Sequence, residues 1–320
     1  MSEPMIVLEG LTKSYGKHRG IENISFSVNS GEVFGFIGPN GAGKSTTIRT
    51  LMGLLKPTGG CASIFGLDCG QYAAEIAKDV GYLPSENCYY NDLKVREMLQ
   101  YTADLYGMDC NSRMEELAER LNLDLSRKIQ DLSLGNKKKV GIVSALLPSP
   151  KLLIMDEPTS SLSESEVQML FAVMRELQSK GVSIVFISHK IEEIFTICQT
   201  ITVLRDGMFI SEHPVGEITR EDLITQIAGR KIGDMYPPKR QKFGEIAFEV
   251  KNFSEHGIYR DISFSVRRGE ILGLYGLVGA GRSEVMRAVY GVDRHDSGEV
   301  LIGNKKARIH HPKDSIRRGV

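Results

Sequence analysis

Gly38-Pro39-Asn40-Gly41-Ala42-Gly43-Lys44-Ser45 decides how this chain folds. The apolar run Glu32-Val33-Phe34-Gly35-Phe36-Ile37 before it reads as a buried strand, and Thr46-Thr47-Ile48-Arg49-Thr50-Leu51-Met52 after it reads as a helix. Strand, glycine-rich loop, helix is the context a phosphate-binding loop requires. Glycines let successive backbone N–H groups curl round an anion without Cβ clashes. The helix N-terminus adds partial positive charge. Lys44 can reach the β- and γ-phosphates of a nucleotide, and the Ser45 hydroxyl can ligate Mg²⁺.

Three further segments supply matching chemistry. The apolar strand Leu152-Leu153-Ile154-Met155 leads straight into Asp156-Glu157. Strands of that kind present residues at the carboxyl edge of a parallel sheet, where α/β proteins bind ligands. Asp156 there can hold Mg²⁺, and Glu157 can polarise an attacking water. A second buried strand, Val182 to Ser188, ends in His189, the one histidine of seven so placed. Upstream, Tyr15 beside Gly16 offers an aromatic face for a base, although from this segment alone a packing tyrosine is the favoured reading. Asp131-Leu132-Ser133-Leu134-Gly135-Asn136 precedes three lysines and a helix placed at Val140 to Leu147. From that segment alone, a capped helix with a solvated basic turn is the favoured reading over an anion site.

Composition sets outer limits. Lys+Arg and Asp+Glu both number 40, so no global field argues for nucleic acid or an anionic membrane surface. Five cysteines with no CxxC pair suit a reducing compartment. No apolar run approaches bilayer length, and the opening residues do not read as a secretory signal. The chain also repeats itself. Ile262 to Val266, Gly269-Glu270, Gly273 and Gly276-Leu277-Val278-Gly279-Ala280-Gly281-Arg282-Ser283 echo Ile24 to Val28, Gly31-Glu32, Gly35 and Gly38 to Ser45 at a constant offset of 238. Arg282 stands where the first copy has Lys44, and a forked guanidinium is a different donor from a compact ammonium. Between the copies, Met235-Tyr236-Pro237-Pro238-Lys239-Arg240 reads as a linker.

In this order the motifs resemble those of ABC transporter ATPases. The expected fold is α/β: a P-loop NTPase of the ABC ATPase type with a helical subdomain at about residues 84–145, plus a truncated second copy. The expected domains are a complete ATPase domain over 1–233, a linker over 234–245 and a partial second domain over 246–320. The resemblance implies that Tyr15 stacks on adenine. It places ATP and Mg²⁺ on Gly38, Pro39, Asn40, Gly41, Ala42, Gly43, Lys44, Ser45 and Thr46, with Ser45 and Asp156 on the metal. Glu157 becomes the general base, and His189 contacts the γ-phosphate. Ser133 and Gly135 complete the ATP site of a facing ATPase domain, from a homodimer or a paralogue.

The implied partners are transmembrane permease subunits and, for import, a solute-binding protein, at the cytoplasmic face of a bacterial membrane. The chain departs from the family at Ser85-Glu86, where glutamine is usual, at Leu134 and Asn136 of the signature, and at Ser163, where aspartate is usual. Residues up to 159 are similar to drug-export ATPases. From Ser160 onward the chain is similar to tandem-domain monosaccharide-import ATPases, which also carry a degenerate second loop. Monosaccharide import is the expected function. Drug export and a non-catalytic recombinant protein are the alternatives.

Overall fold

The computed structural model describes residues 4–16, 18–230, 243–276 and 279–320. The expected linker at 234–245 therefore lies, as far as residue 242, outside the described residues, as do Leu277 and Val278. The chain divides into two compact units, Met1–Gly233 and Asp234–Val320.

Strands of the first unit are β1 (Pro4–Tyr15), β2 (His18–Asn29), β3 (Val33–Ile37), β4 (Gly59–Ile64), β5 (Leu67–Asp68), β6 (Val80–Leu83), β7 (Leu152–Asp156), β8 (Ser183–Ile187), β9 (Thr200–Arg205) and β10 (Met208–Pro214). They form one sheet in the order β5-β4-β1-β2-β10-β9-β3-β8-β7-β6. Strands β9, β3, β8, β7 and β6 run parallel, which brings their carboxyl ends to one edge. Strands β1, β2 and β4 pair antiparallel. A single pairing, Met208 with Glu22, joins the two parts.

Every residue of β3, β7 and β8 is buried, because these strands are covered on both faces. The period of two sorts their side chains. Val33, Ile37, Leu153, Met155, Ile184 and Phe186 enter the core shared with the helical insert. Phe34, Phe36, Leu152, Ile154, Val185 and Ile187 enter the core shared with the antiparallel strands and the helix Lys44–Leu51.

The periodicity over 94–123 resolves into two helices, Val95–Leu105 and Asn111–Arg120, broken near Gly107 at φ +65°. The third helix of the insert corrects the sequence reading. It begins at Leu134, not Val140, because the Ser133 hydroxyl accepts the Asn136 N–H at 3.3 Å as an N-cap. The basic triplet is therefore inside the helix. Lys138 and Lys139 are buried rather than solvated, at 5% and 4% exposure. Lys139 pairs with Glu166 at 2.6 Å. Glu166 also accepts the Ser163 N–H at 2.8 Å at the start of the helix Glu164–Ser179, so Ser163 acts there as a helix cap.

In the second unit, β11 (Ile246–Glu255), β12 (Tyr259–Arg267), β13 (Ser297–Ile302) and β14 (Lys305–Ala307) form a sheet in the order β12-β11-β13-β14. The helix Arg282–Tyr290 packs Val285, Ala288 and Val289 against Val250, Phe253 and Val300. The counterpart of β3 is not a strand there: Ile271 and Tyr275 are 98% and 97% exposed. In the first unit β3 is held between β8 and β9, and the described residues of the second unit contain no counterpart of either.

The Lys139 ammonium, helped by the Ser163 N–H, holds the Glu166 carboxyl well below its ordinary 4.5, down to about 2. A depressed carboxyl stabilises the fold fully above its unfolded value and loses that contribution as pH falls through the folded one. Glu166→Gln should therefore lower the urea midpoint at neutral pH, with the deficit shrinking as pH falls from 4.5 toward 2. A deficit that stays constant across this range would contradict the pairing.

Candidate active site

Backbone geometry comes first. The loop after β3 needs left-handed φ at Gly41 (+81°) and Gly43 (+98°). A Cβ on Gly43 would lie 2.5 Å from Ile21 Cγ2, and one on Gly38 would lie 2.2 Å from the Leu204 carbonyl oxygen. Only glycine fits these positions without moving backbone or core. Gly43 then opens the helix Lys44–Leu51, whose first N–H groups have no partner within the helix. Residues 40–46 line a cleft of about 610 Å³, together with Gly20, Ser85, Glu86, Asp156 and Glu157.

Two side-chain pairs involve the acidic residues of this cleft. The Ser45 hydroxyl donates to Asp156 Oδ2 at 3.1 Å. That pair unites a hydroxyl and a carboxylate oxygen, the hard donors that suit Mg²⁺. Glu157 Oε1 lies 3.3 Å from His189 Nδ1, one at the end of β7 and the other beyond the end of β8. Glu157 adopts φ +48°, an uncommon conformation for a residue with a side chain. Its N–H is held by the Ile187 carbonyl at 2.9 Å.

Lys44 bends back onto its own loop and donates to the Gly38 and Pro39 carbonyls at 2.6 and 3.1 Å. Burial lowers its pKa, opposed by the charges of Glu157 and Asp156. Burial raises the Asp156 pKa, opposed first by the Ser45 hydrogen bond, with Glu157 reinforcing the rise. An entering polyanion gives Lys44 a better partner than carbonyl oxygens, and a bound cation would lower the Asp156 pKa again.

The structure thus brings together residues 40–46, Asp156, Glu157 and His189. Gly38 and Pro39 bound the same loop and receive the Lys44 ammonium. Tyr15 does not line the cleft. It ends β1 and is 41% exposed, and its ring edge lies 3.4 Å from where a Cβ of Gly20 would stand. Ser133 and Gly135 do not line the cleft; they stand at the start of the helix Leu134–Leu146, with Gly135 close to the Ser161 carbonyl.

Lys138 escaped the sequence reading. Its ammonium donates to the Ser85 carbonyl at 2.9 Å and the Pro84 carbonyl at 3.3 Å, behind the cleft wall. Burial lowers its pKa, against the pull of Asp156 and Glu157. The signal was present: with the N-cap at Ser133, helical spacing puts Lys138 on the same face as the apolar Ile142.

Comparison with known proteins follows the same pattern. The profile of the family described as ABC transporter matches residues 21–160 and 259–320. The ribose import ATP-binding protein RbsA of Lacticaseibacillus paracasei is 38% identical over 98% of this chain. That of Bacillus subtilis is 36% identical over 98%. Both matches run through the first and second units. The chain spans 65% and 66% of the length of these two relatives. A solved ATP-binding subunit of an ABC transporter is 29% identical, with TM-score 0.63 over 72% of this chain and 96% of its own.

Gly43→Ala should cost roughly 1–3 kcal/mol of stability from the forced left-handed backbone alone, before the clash with Ile21. It should also weaken pyrophosphate binding, read by calorimetry. Unchanged stability and unchanged anion affinity would refute the fit of this loop.

Proposed function

This chain belongs to the ABC transporter family, and on that premise we propose that it binds and hydrolyses MgATP to drive import of a monosaccharide, ribose or a close relative, through separate membrane-spanning subunits. One observation carries the reading: the glycine loop, the Ser45–Asp156 pair and Glu157 line a single cleft, with His189 3.3 Å from the Glu157 carboxylate. The sugar class rests on the names of the relatives that match both units.

ATP places its phosphates in the N–H cradle of residues 40–46. Lys44 leaves the Gly38 and Pro39 carbonyls for the β- and γ-phosphate oxygens and offsets the charge that develops there. Mg²⁺, when bound, supplies further charge neutralisation on the phosphates, and Ser45 and Asp156 are the residues that would hold it. Glu157 orients a water in line with the γ-phosphate and accepts its proton. The new bond forms from water oxygen to phosphorus as the bond to the ADP oxygen breaks. His189 contacts the γ-phosphate, its ring standing 3.3 Å from the Glu157 carboxylate. Tyr15 takes the adenine. Ser133 and Gly135, which do not line the chain's own cleft, close over the nucleotide of a facing ATPase domain. A membrane-bound permease pair, a solute-binding protein and the cytoplasmic membrane face complete the arrangement.

Ser85 and Glu86 on the cleft wall favour a second reading, an export ATPase, since the segment Gly81 to Glu86 is similar to that of drug-export ATPases. Reconstitution with import or export permeases separates the two. Glu157→Gln should leave affinity for a non-hydrolysable MgATP analogue intact and cut turnover by about 10²–10⁴-fold. Wild-type turnover in that variant would sink the assignment.

A further inference from the structure

Strands β7 and β8 stay in register up to the pairing of Asp156 with Ile187. One further backbone bond, Glu157 N–H to Ile187 carbonyl at 2.9 Å, closes the ladder. Beyond it no backbone bond joins the two segments, which are the ones that carry Glu157 and His189. A buried carboxylate bridges them there. Glu193, on the helix Ile191–Ile197, is 7% exposed. Its Oε2 accepts the Thr159 hydroxyl at 2.7 Å and the Ser188 hydroxyl at 2.7 Å. Thr159 lies two residues after Glu157, Ser188 immediately precedes His189, and each is 2% exposed. The Lys190 ammonium meets Glu193 Oε1 at 2.9 Å and reaches the Thr159 carbonyl at 3.5 Å. The Lys190 N–H also donates to the Ser188 hydroxyl at 3.1 Å.

We propose that Glu193 is a positioning residue, whose single Oε2 atom sets the spacing between Glu157 and His189. This rests on the reading of the cleft as a hydrolytic site. Glu157 and His189 do not fix each other. Their side chains are 26% and 55% exposed, and a pair so open to water holds little geometry by itself. The Glu193 bonds are buried and charge-assisted, so they are short and directional. Two hydroxyls on one oxygen tie residues 159 and 188 to a common point, and each of them constrains the backbone of its functional neighbour. No side chain in this network enters the cleft, so nucleotide affinity does not depend on it.

The test uses the full chain and the variants Glu193→Ala, Thr159→Val, Thr159→Ser and Glu157→Gln. Glu193→Ala and Thr159→Val should each lower kcat for MgATP at least about tenfold, with KM and analogue affinity within about twofold of wild type. Thr159→Ser, which keeps the hydroxyl, should restore most of kcat. In the Glu157→Gln background, adding Glu193→Ala should cost nothing further, because both act on one step. Full kcat in Glu193→Ala, or a multiplicative loss in the double variant, would overturn the proposal. If Glu193→Ala fails to fold, the contrast of Thr159→Val with Thr159→Ser decides alone, and equal rates in those two would overturn it. Absence of hydrolysis in the wild-type chain would refute the hydrolytic reading instead. The spacing is then read from the imidazole NMR signals of His189. Signals that move in Thr159→Val and not in Thr159→Ser support the strut, and identical signals in all three proteins would overturn it.

Discussion

The hydrogen bond from Ser45 to Asp156 joins two places that lie 111 residues apart, the start of one helix and the end of one strand. It exists because β3 and β7 are both parallel partners of β8, so both deliver their carboxyl ends to the same edge. The glycine loop leaves β3 at that edge and the two carboxylates leave β7 there. Move β7 by one residue and the Asp156 carboxylate faces the other side of the sheet. The cores on the two faces prevent such a slip, since alternate residues of each strand are committed to different clusters. The chemistry of the cleft is thus protected by apolar packing well away from it.

The first unit was legible wherever a single local pattern decided the outcome. Strands β3, β7 and β8 are short and apolar apart from the end residues Asp156 and Ser183, so their burial could be read directly. The Asp156-Glu157 pair followed, because an apolar strand leaves its exit residues at the sheet edge. What escaped the reading needed a neighbour from elsewhere in the chain. Lys138 and Lys139 look like solvated charge in isolation. They are buried because carbonyls of Pro84 and Ser85 receive one and Glu166 receives the other. Glu193 is likewise one of two adjacent acids on a short helix. Nothing local distinguishes it from Glu192, which pairs with Arg220 at the surface.

The second unit shows the limit of a repeat as a guide. Its motifs echo the first at a fixed offset, and its antiparallel strands form as in the first copy, in the order β12-β11-β13-β14. Its equivalent of β3 remains outside any sheet. A central parallel strand has almost no local reason to exist; its hydrogen bonds all go to neighbours distant in sequence. Sequence similarity carries the preference for such a strand, whereas the partners carry the strand itself. The Arg282 position, which departs from Lys44, sits in this less complete setting.

Glu157 occupies a left-handed backbone conformation at φ +48°, with its N–H held by Ile187. That conformation disfavours every residue with a β-carbon except asparagine and aspartate, and it suits glycine best. Glycine, asparagine or aspartate at position 157 would relax that backbone, but none of them extends a carboxylate as far as glutamate does. Under the proposed hydrolysis, the strain held at this position is what places a carboxylate at that reach.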